Sequence, residues 1–237
     1  MTLQAVFFDF DGVIADSEPL HLRAYQAVLQ ADGLALDRKD YYERYLGYDD
    51  VGLFEALSND RGISADPTRI ARWISSKARI VEEMLSSGSV LFPGAASCIR
   101  MFAERVPLAI ASGALEPEIA IVLENSGVRE CFEAIASASD HVPGKPSPDL
   151  YLLAMTKLRE RLASRGEATA IEPASCIAIE DSHWGLEAAA KAGLRTVAVT
   201  HTYRAAELGR ADLIIEQLSD LTFSKVEEIM RDNGRAR

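Results

Sequence analysis

Two aspartates stand two residues apart at the end of a short apolar run, Ala5-Val6-Phe7-Phe8-Asp9-Phe10-Asp11-Gly12. A carboxylate aimed at phosphorus can attack it and form an aspartyl phosphate. A second carboxylate beside it can manage protons, as an acid toward the leaving oxygen and as a base toward the water that hydrolyses the phosphoenzyme. If strand geometry continued through the motif, Asp9 and Asp11 would share a face and Phe10 would take the other. Gly12 permits the tight turn that follows. Three more polar clusters lie far along the chain: Ser112-Gly113, Gly144-Lys145-Pro146-Ser147-Pro148-Asp149 and Glu180-Asp181-Ser182. Several carboxylates in one cleft repel one another and call for a cation. All-oxygen ligation by hard carboxylates suits magnesium, which also keeps waters and substrate phosphate as ligands. A lysine and a serine hydroxyl can hold phosphate oxygens and offset the repulsion between a carboxylate and a phosphate dianion.

These residues act together only if the fold gathers them. Ala5–Phe8 reads as a buried parallel strand, since it is apolar without strict alternation. From Glu18 to about Ser87 the pattern is helical and no strand appears. Leu22, Tyr25, Ala27, Val28 and Leu29 are expected to line one side of a helix, as are Ile70, Trp73, Ile74, Ala78 and Val81. Ser86-Ser87-Gly88-Ser89 reads as a flexible link. Strand-like and helix-like segments then alternate. Strands are expected at 107–111, 134–136, 176–179, 196–199 and 213–215. Helices are expected at 117–126 before Gly127, from Pro148 at N1 to about Arg165, and at 185–192 before Gly193. Such alternation implies a parallel sheet covered by helices. The expected fold class is α/β, a parallel sheet core of residues 1–17 and 88–237 interrupted by an all-helical insert, 18–87. In an open α/β sheet ligands bind outside the carboxyl ends of the strands, and each polar cluster follows a strand.

Taken in order, Asp9-Phe10-Asp11-Gly12-Val13-Ile14-Ala15-Asp16-Ser17-Glu18, Ser112-Gly113, Gly144-Lys145-Pro146-Ser147-Pro148-Asp149 and Glu180-Asp181-Ser182 resemble the motifs of the haloacid dehalogenase superfamily. The resemblance covers nearly the whole chain. It points to the branch with a helical cap after the first motif, which includes beta-phosphoglucomutase and phosphoglycolate phosphatase, and it implies a Rossmann-like core. It implies that Asp9 is the nucleophile and a metal ligand. Asp11 is then the general acid/base, with its backbone carbonyl a further ligand. It also implies that Ser112, Gly113 and Lys145 bind the phosphoryl group, and that Asp181 holds magnesium, with Glu180 a further ligand or a partner behind the ligands. His21 is an accessory substrate-site candidate. The dehalogenases of the superfamily lack the second aspartate, so Asp11 argues for phosphoryl transfer. The expected function is a phosphatase acting on a small phosphorylated metabolite, with a phosphomutase as the alternative and a non-catalytic binding protein third.

Each motif alone also has a structural reading. Asp-Phe-Asp-Gly suits a strand exit, and Glu180-Asp181-Ser182 can cap a helix. Asp16, Glu18, His183 and Trp184 could serve the site or merely pack. Their joint order favours chemistry. The net charge of -11, from 25 basic and 36 acidic residues, makes nucleic acid and anionic membranes poor partners. Cys98, Cys131 and Cys176 read as buried small apolar residues. No apolar run approaches the length that spans a bilayer, and a cytoplasmic location is the default expectation. One departure from the family pattern bears on the substrate. In Leu46-Gly47-Tyr48-Asp49-Asp50, Leu46 stands where a basic residue is expected and Asp49-Asp50 stand where an arginine is expected. Two carboxylates would repel a second phosphate, with Arg44 or Lys77 as the nearby cations. A monophosphate with a neutral or basic distal end is therefore expected.

Overall fold

The computed structural model describes residues 2–46, 48–88, 90–167 and 170–231. It divides into two compact units, one of Met1–Asp16 with Ser89–Arg237 and one of Ser17–Gly88. The first unit is built on a six-stranded, wholly parallel sheet. Its strands are β1 (Ala5–Phe8), β2 (Leu108–Ala111), β3 (Phe132–Ala136), β4 (Cys176–Glu180), β5 (Arg195–Val199) and β6 (Leu213–Ile215), in the order β3-β2-β1-β4-β5-β6. The chain runs outward from β1 through β2 and β3, then returns to place β4 on the other side of β1. The order reverses between β1 and β4, and at such a switch point the loops part to leave a crevice.

Four fully buried residues make β1, as the unbroken apolar run requires of a strand covered on both faces. The side chains one face presents to helices are mostly small. Ala109, Ala111, Ala134, Ala136 and Ala178 join Ala5 and Phe7 in one core cluster with Tyr151, Ala154, Met155 and Leu158. The last four belong to the helix Asp149–Ser164. Alanines at alternate sheet positions let that helix lie close, and Tyr151 takes the room they leave.

The second unit is all helical: α1 (Glu18–Ala31), a single turn α2 (Arg38–Asp40), a π-helical turn Tyr41–Tyr45, α3 (Asp50–Asp60) and α4 (Pro67–Leu85). Its own core gathers Leu22, Tyr25, Leu29, Phe54, Leu57 and Trp73, among others. Three helix starts are capped by aspartate. Asp37, Asp49 and Asp66 accept the N–H of Asp40, Gly52 and Arg69 at 2.8, 2.7 and 2.9 Å. Ser86 and Ser87 donate their hydroxyls to Glu82 and Met84 carbonyls, so this stretch closes α4 rather than running free. Ser89 lies outside the described residues. On α1 the expected Ala27 is exposed and Ala24 is buried in its place, because Ala24 rather than Ala27 falls on the stripe through Tyr25 and Val28.

The remaining helices are α5 (Ala95–Ala103), α6 (Glu116–Asn125), α7 (Asp149–Ser164), α8 (His183–Lys191) and α9 (Phe223–Arg231). Pro148 is the N-cap of α7, not its first helical residue. The helix proper starts at Asp149, whose carboxylate accepts the Ser147 hydroxyl. Among the described residues no helix is long and apolar enough to cross a membrane. Cys98 and Cys176 are buried and Cys131 is half-buried, all as free thiols.

Candidate active site

Asp9 is the first residue beyond β1. Its N–H continues the sheet ladder to Ile179 at 2.9 Å, and its Oδ1 accepts the Phe10 N–H at 2.7 Å. Strand geometry ends there. The chain turns through Phe10–Ala15, with the Ile14 and Ala15 N–H groups both donating to the Phe10 carbonyl. Asp11 is therefore placed by a turn, not by strand alternation, and it is half-buried.

Across the switch point, β4 ends in Glu180 and leads directly to Asp181. Carboxylate oxygens of Asp9, Glu180 and Asp181 all lie within 4.8 Å of one another, and all three residues are buried. Lys145 arrives from the loop between β3 and α7. Its ammonium lies 2.8 Å from Asp9 Oδ1 and 2.6 Å from Glu180 Oε1. Tyr151 donates its hydroxyl to the same Glu180 oxygen at 2.6 Å. Thr202, in the loop after β5, donates its hydroxyl to Asp181 Oδ2.

Three carboxylates share this space with one ammonium, and their titration follows. Burial, then the charge of Asp9, pushes the Glu180 carboxyl up to about 7. Burial, then Asp9 and Glu180, holds Asp181 well above the usual carboxylate range. Burial alone would lower the Lys145 ammonium, but Asp9 and Glu180 reverse that and keep it above its ordinary value. Glu180 Oε2 is buried without a hydrogen-bond partner. A buried carboxylate oxygen without a donor, in a cluster with excess negative charge, is what a hard divalent cation would satisfy. The donor set fits such an ion.

Two glycines make the cluster possible. A Cβ on Gly12 would sit 1.9 Å from Asp181 Oδ2, and Gly12 has φ +75°. A Cβ on Gly185, in the first turn of α8, would sit 1.9 Å from Glu180 Oε2. Both carboxylates thus occupy space that any other residue's side chain would fill. Ser182 caps α8 by accepting the Gly185 N–H at 3.1 Å. The capping and the chemical readings of Glu180-Asp181-Ser182 are both met, by different residues of the triplet.

Ser112 follows β2, beside β1 at the same sheet edge. It is buried, with its N–H on the Ala136 carbonyl and its Oγ accepting the Ala114 N–H at 3.1 Å. Gly113 is exposed and open on its Cα side. His21 belongs to the helical unit, half-buried on the first turn of α1. Glu18 there accepts the Tyr41 hydroxyl. His183 and Trp184 form an aromatic group with Tyr203, at centroid distances of 4.0 to 6.2 Å.

A profile of haloacid dehalogenase-like hydrolases matches residues 3–193. The chain belongs to this family. It is 29% identical to fructose-1-phosphate phosphatase YqaB of Escherichia coli, over 82% of this chain and 95% of that protein. It is 28% identical to beta-phosphoglucomutase of Bacillus subtilis, over 95% of each chain. Among solved structures, CbbY from Rhodobacter sphaeroides in complex with phosphate superposes with a TM-score of 0.82 at 28% identity. That match covers 95% of this chain and all of that one. The hydrolase fold, a parallel Rossmann-like sheet with a helical cap, is thereby established for a phosphatase and phosphomutase branch.

The cap-loop expectation needs correction. Gly47 lies outside the described residues. Asp49 is spent on capping α3. Asp50 accepts the Tyr25 hydroxyl at 2.5 Å and pairs with the buried Lys77 ammonium at 3.0 Å. Its charge is matched inside the helical unit, so it is not the open repulsive element expected. Arg44 is likewise committed, to Asp60. Gly185, Tyr151 and Thr202 fall outside the sequence motifs. Gly185 carried a usable signal, a glycine inside a helix next to an acidic pair. Thr202 carried none, because only the path of the chain after β5 brings it to Asp181.

Proposed function

We propose that the chain is a magnesium-dependent phosphatase that hydrolyses a small, sugar-like phosphorylated metabolite through an aspartyl phosphate on Asp9. The observation that carries this reading is the meeting of Asp9, Glu180 and Asp181 with Lys145 at the switch point of the sheet. Asp9, Glu180, Asp181 and the Asp11 carbonyl would hold the cation. When bound, it would offset charge on the carboxylates and on the transferring group.

Asp9 attacks phosphorus as the bond from phosphorus to the leaving oxygen breaks. Its Oδ1 is engaged by Phe10 and Lys145. Asp11 gives its proton to the leaving oxygen, then takes one from the water that releases phosphate and restores the Asp9 carboxylate. Lys145, Ser112 and the Gly113 backbone bind phosphoryl oxygens. His21 is an accessory residue on the cap.

Phosphate release from an aryl phosphate should require magnesium, stop with a chelator and vanish in Asp9→Asn. Asp11→Asn should lose about 10²–10⁴-fold. Near-normal turnover by a folded Asp9→Asn protein would sink the assignment. A panel of fructose 1-phosphate, hexitol phosphates and pentulose bisphosphates then seeks the substrate. The relative from Bacillus subtilis favours a second reading. Conversion of beta-glucose 1-phosphate to glucose 6-phosphate without phosphate release would establish a mutase instead.

A further inference from the structure

The loop after β5 reaches both loops that carry the carboxylates, through two consecutive residues. His201 Nδ1 lies 2.9 Å from the Gly12 carbonyl, which can only accept, so Nδ1 carries the proton and donates. Its ring is stacked on Phe92 at 3.8 Å between centroids and 20° between planes. Thr202 donates to Asp181 Oδ2. The Gly12 Cα closes the triangle, because it lies against the same Asp181 oxygen. The loops after β1, β4 and β5 are thus joined pairwise.

Asp181 needs such a hold. Its N-terminal neighbour Glu180 is fixed by Lys145 and Tyr151, but neither of them bonds Asp181. Without Thr202 its carboxylate would turn about its last bond under the repulsion of Asp9 and Glu180. We propose that Thr202 is a positioning residue that orients the Asp181 carboxylate for a divalent cation, with His201 bracing the opposite loop through Gly12. The inference rests on the reading of the cluster as a cation site. A hydroxyl that orients a ligating carboxylate contributes about 10- to 100-fold to metal affinity in sites of this kind.

Thr202 is exposed and borders an open surface cavity of about 600 Å³, so replacing it leaves no void in the core. Thr202→Val keeps the shape and removes the hydroxyl, and Thr202→Ser keeps the hydroxyl. Magnesium alone is titrated calorimetrically into the full chain, beside thermal melts of the metal-free proteins. The expected result is at least about a 10-fold weaker affinity for Thr202→Val, wild-type affinity for Thr202→Ser, and metal-free melts that coincide. If Thr202→Val does not fold, Thr202→Ala reads the same loss. Equal affinity in wild type and the hydroxyl-free variant would overturn the role of Thr202 while leaving the cation site standing. No magnesium binding by wild type would overturn the cation site and this role with it.

Discussion

Gly185 sets two effects of one atom against each other. In a helix, Ala in place of Gly is worth about 1 kcal/mol of stability. Here the added Cβ would overlap the Glu180 carboxylate, which is fully buried and held by Lys145 and Tyr151. Breaking a buried ion pair costs about 3–5 kcal/mol. Displacement outweighs propensity, so Gly185→Ala should lower the melting temperature by at least about 4 °C, at about 2–4 °C per kcal/mol for a chain of this size. A melt at or above wild type would show that the carboxylate can move aside. Gly113→Ala is the contrasting case, with nothing within 4 Å of the new atom, and its melt should stay with wild type.

Two elements depend on lysines that the proposed chemistry does not use. Lys77 on α4 joins α1 and α3 through Asp50 and lies over the Tyr25 ring. Lys77→Met leaves Asp50 without its cation in a setting only 21% exposed, and should cost about 3 kcal/mol in urea unfolding. Lys77→Met with Asp50→Asn should recover most of that, because Asn still accepts from Tyr25 without a charge. Failure to recover would mean that the pair contributes by shape rather than charge. Lys157 on α7 ties the end of β3 to the turn at Ala138–Asp140, donating to the Ile135 carbonyl and to both Asp140 oxygens. Burial would raise the Asp140 carboxyl, but Lys157 and the Ser137 N–H together hold it below its usual value. A carboxyl depressed in the folded state stabilises above its unfolded pKa of about 3.9, and loses that contribution as pH falls through the lower folded value. The melting difference between wild type and Lys157→Met should therefore be steady at neutral pH and shrink below about pH 4. A difference that grew in acid would contradict this. β1 and β6 were legible to the residue, since unbroken apolar runs between turn formers leave little choice. The helices Ala95–Ala103 and Phe223–Arg231 are found only in the structure. The motifs mark Asp9, Lys145, Glu180 and Asp181, which the fold brings together, but not Thr202 and Tyr151, whose contacts arise from loops and helices meeting across the sheet rather than from local spacing.

The whole molecule carries one tryptophan in each unit, Trp73 in the helical core and Trp184 at the start of α8. Each unit has a core of its own. The helical unit is the smaller, and small cores bury a lower share of their surface. Fluorescence of a Trp184→Phe protein, which reports Trp73, should therefore show a lower urea midpoint than that of a Trp73→Phe protein. Coincident midpoints would mean that the two units unfold as one. The placement of β1 has a consequence for synthesis. Val6 pairs with Leu108 on one side and Ile177 on the other. Of the six strands, β1 leaves the ribosome first and lies inside the sheet, and its second neighbour β4 emerges only after β2 and β3. At about 5–20 residues per second, Ala5–Phe8 waits on the order of ten seconds or more as an unpaired apolar segment that chaperones or other nascent chains can capture. The acidic cluster obeys the same schedule. Asp9 is translated well before Asp181, so a polypeptide stalled between them lacks the proposed cation site.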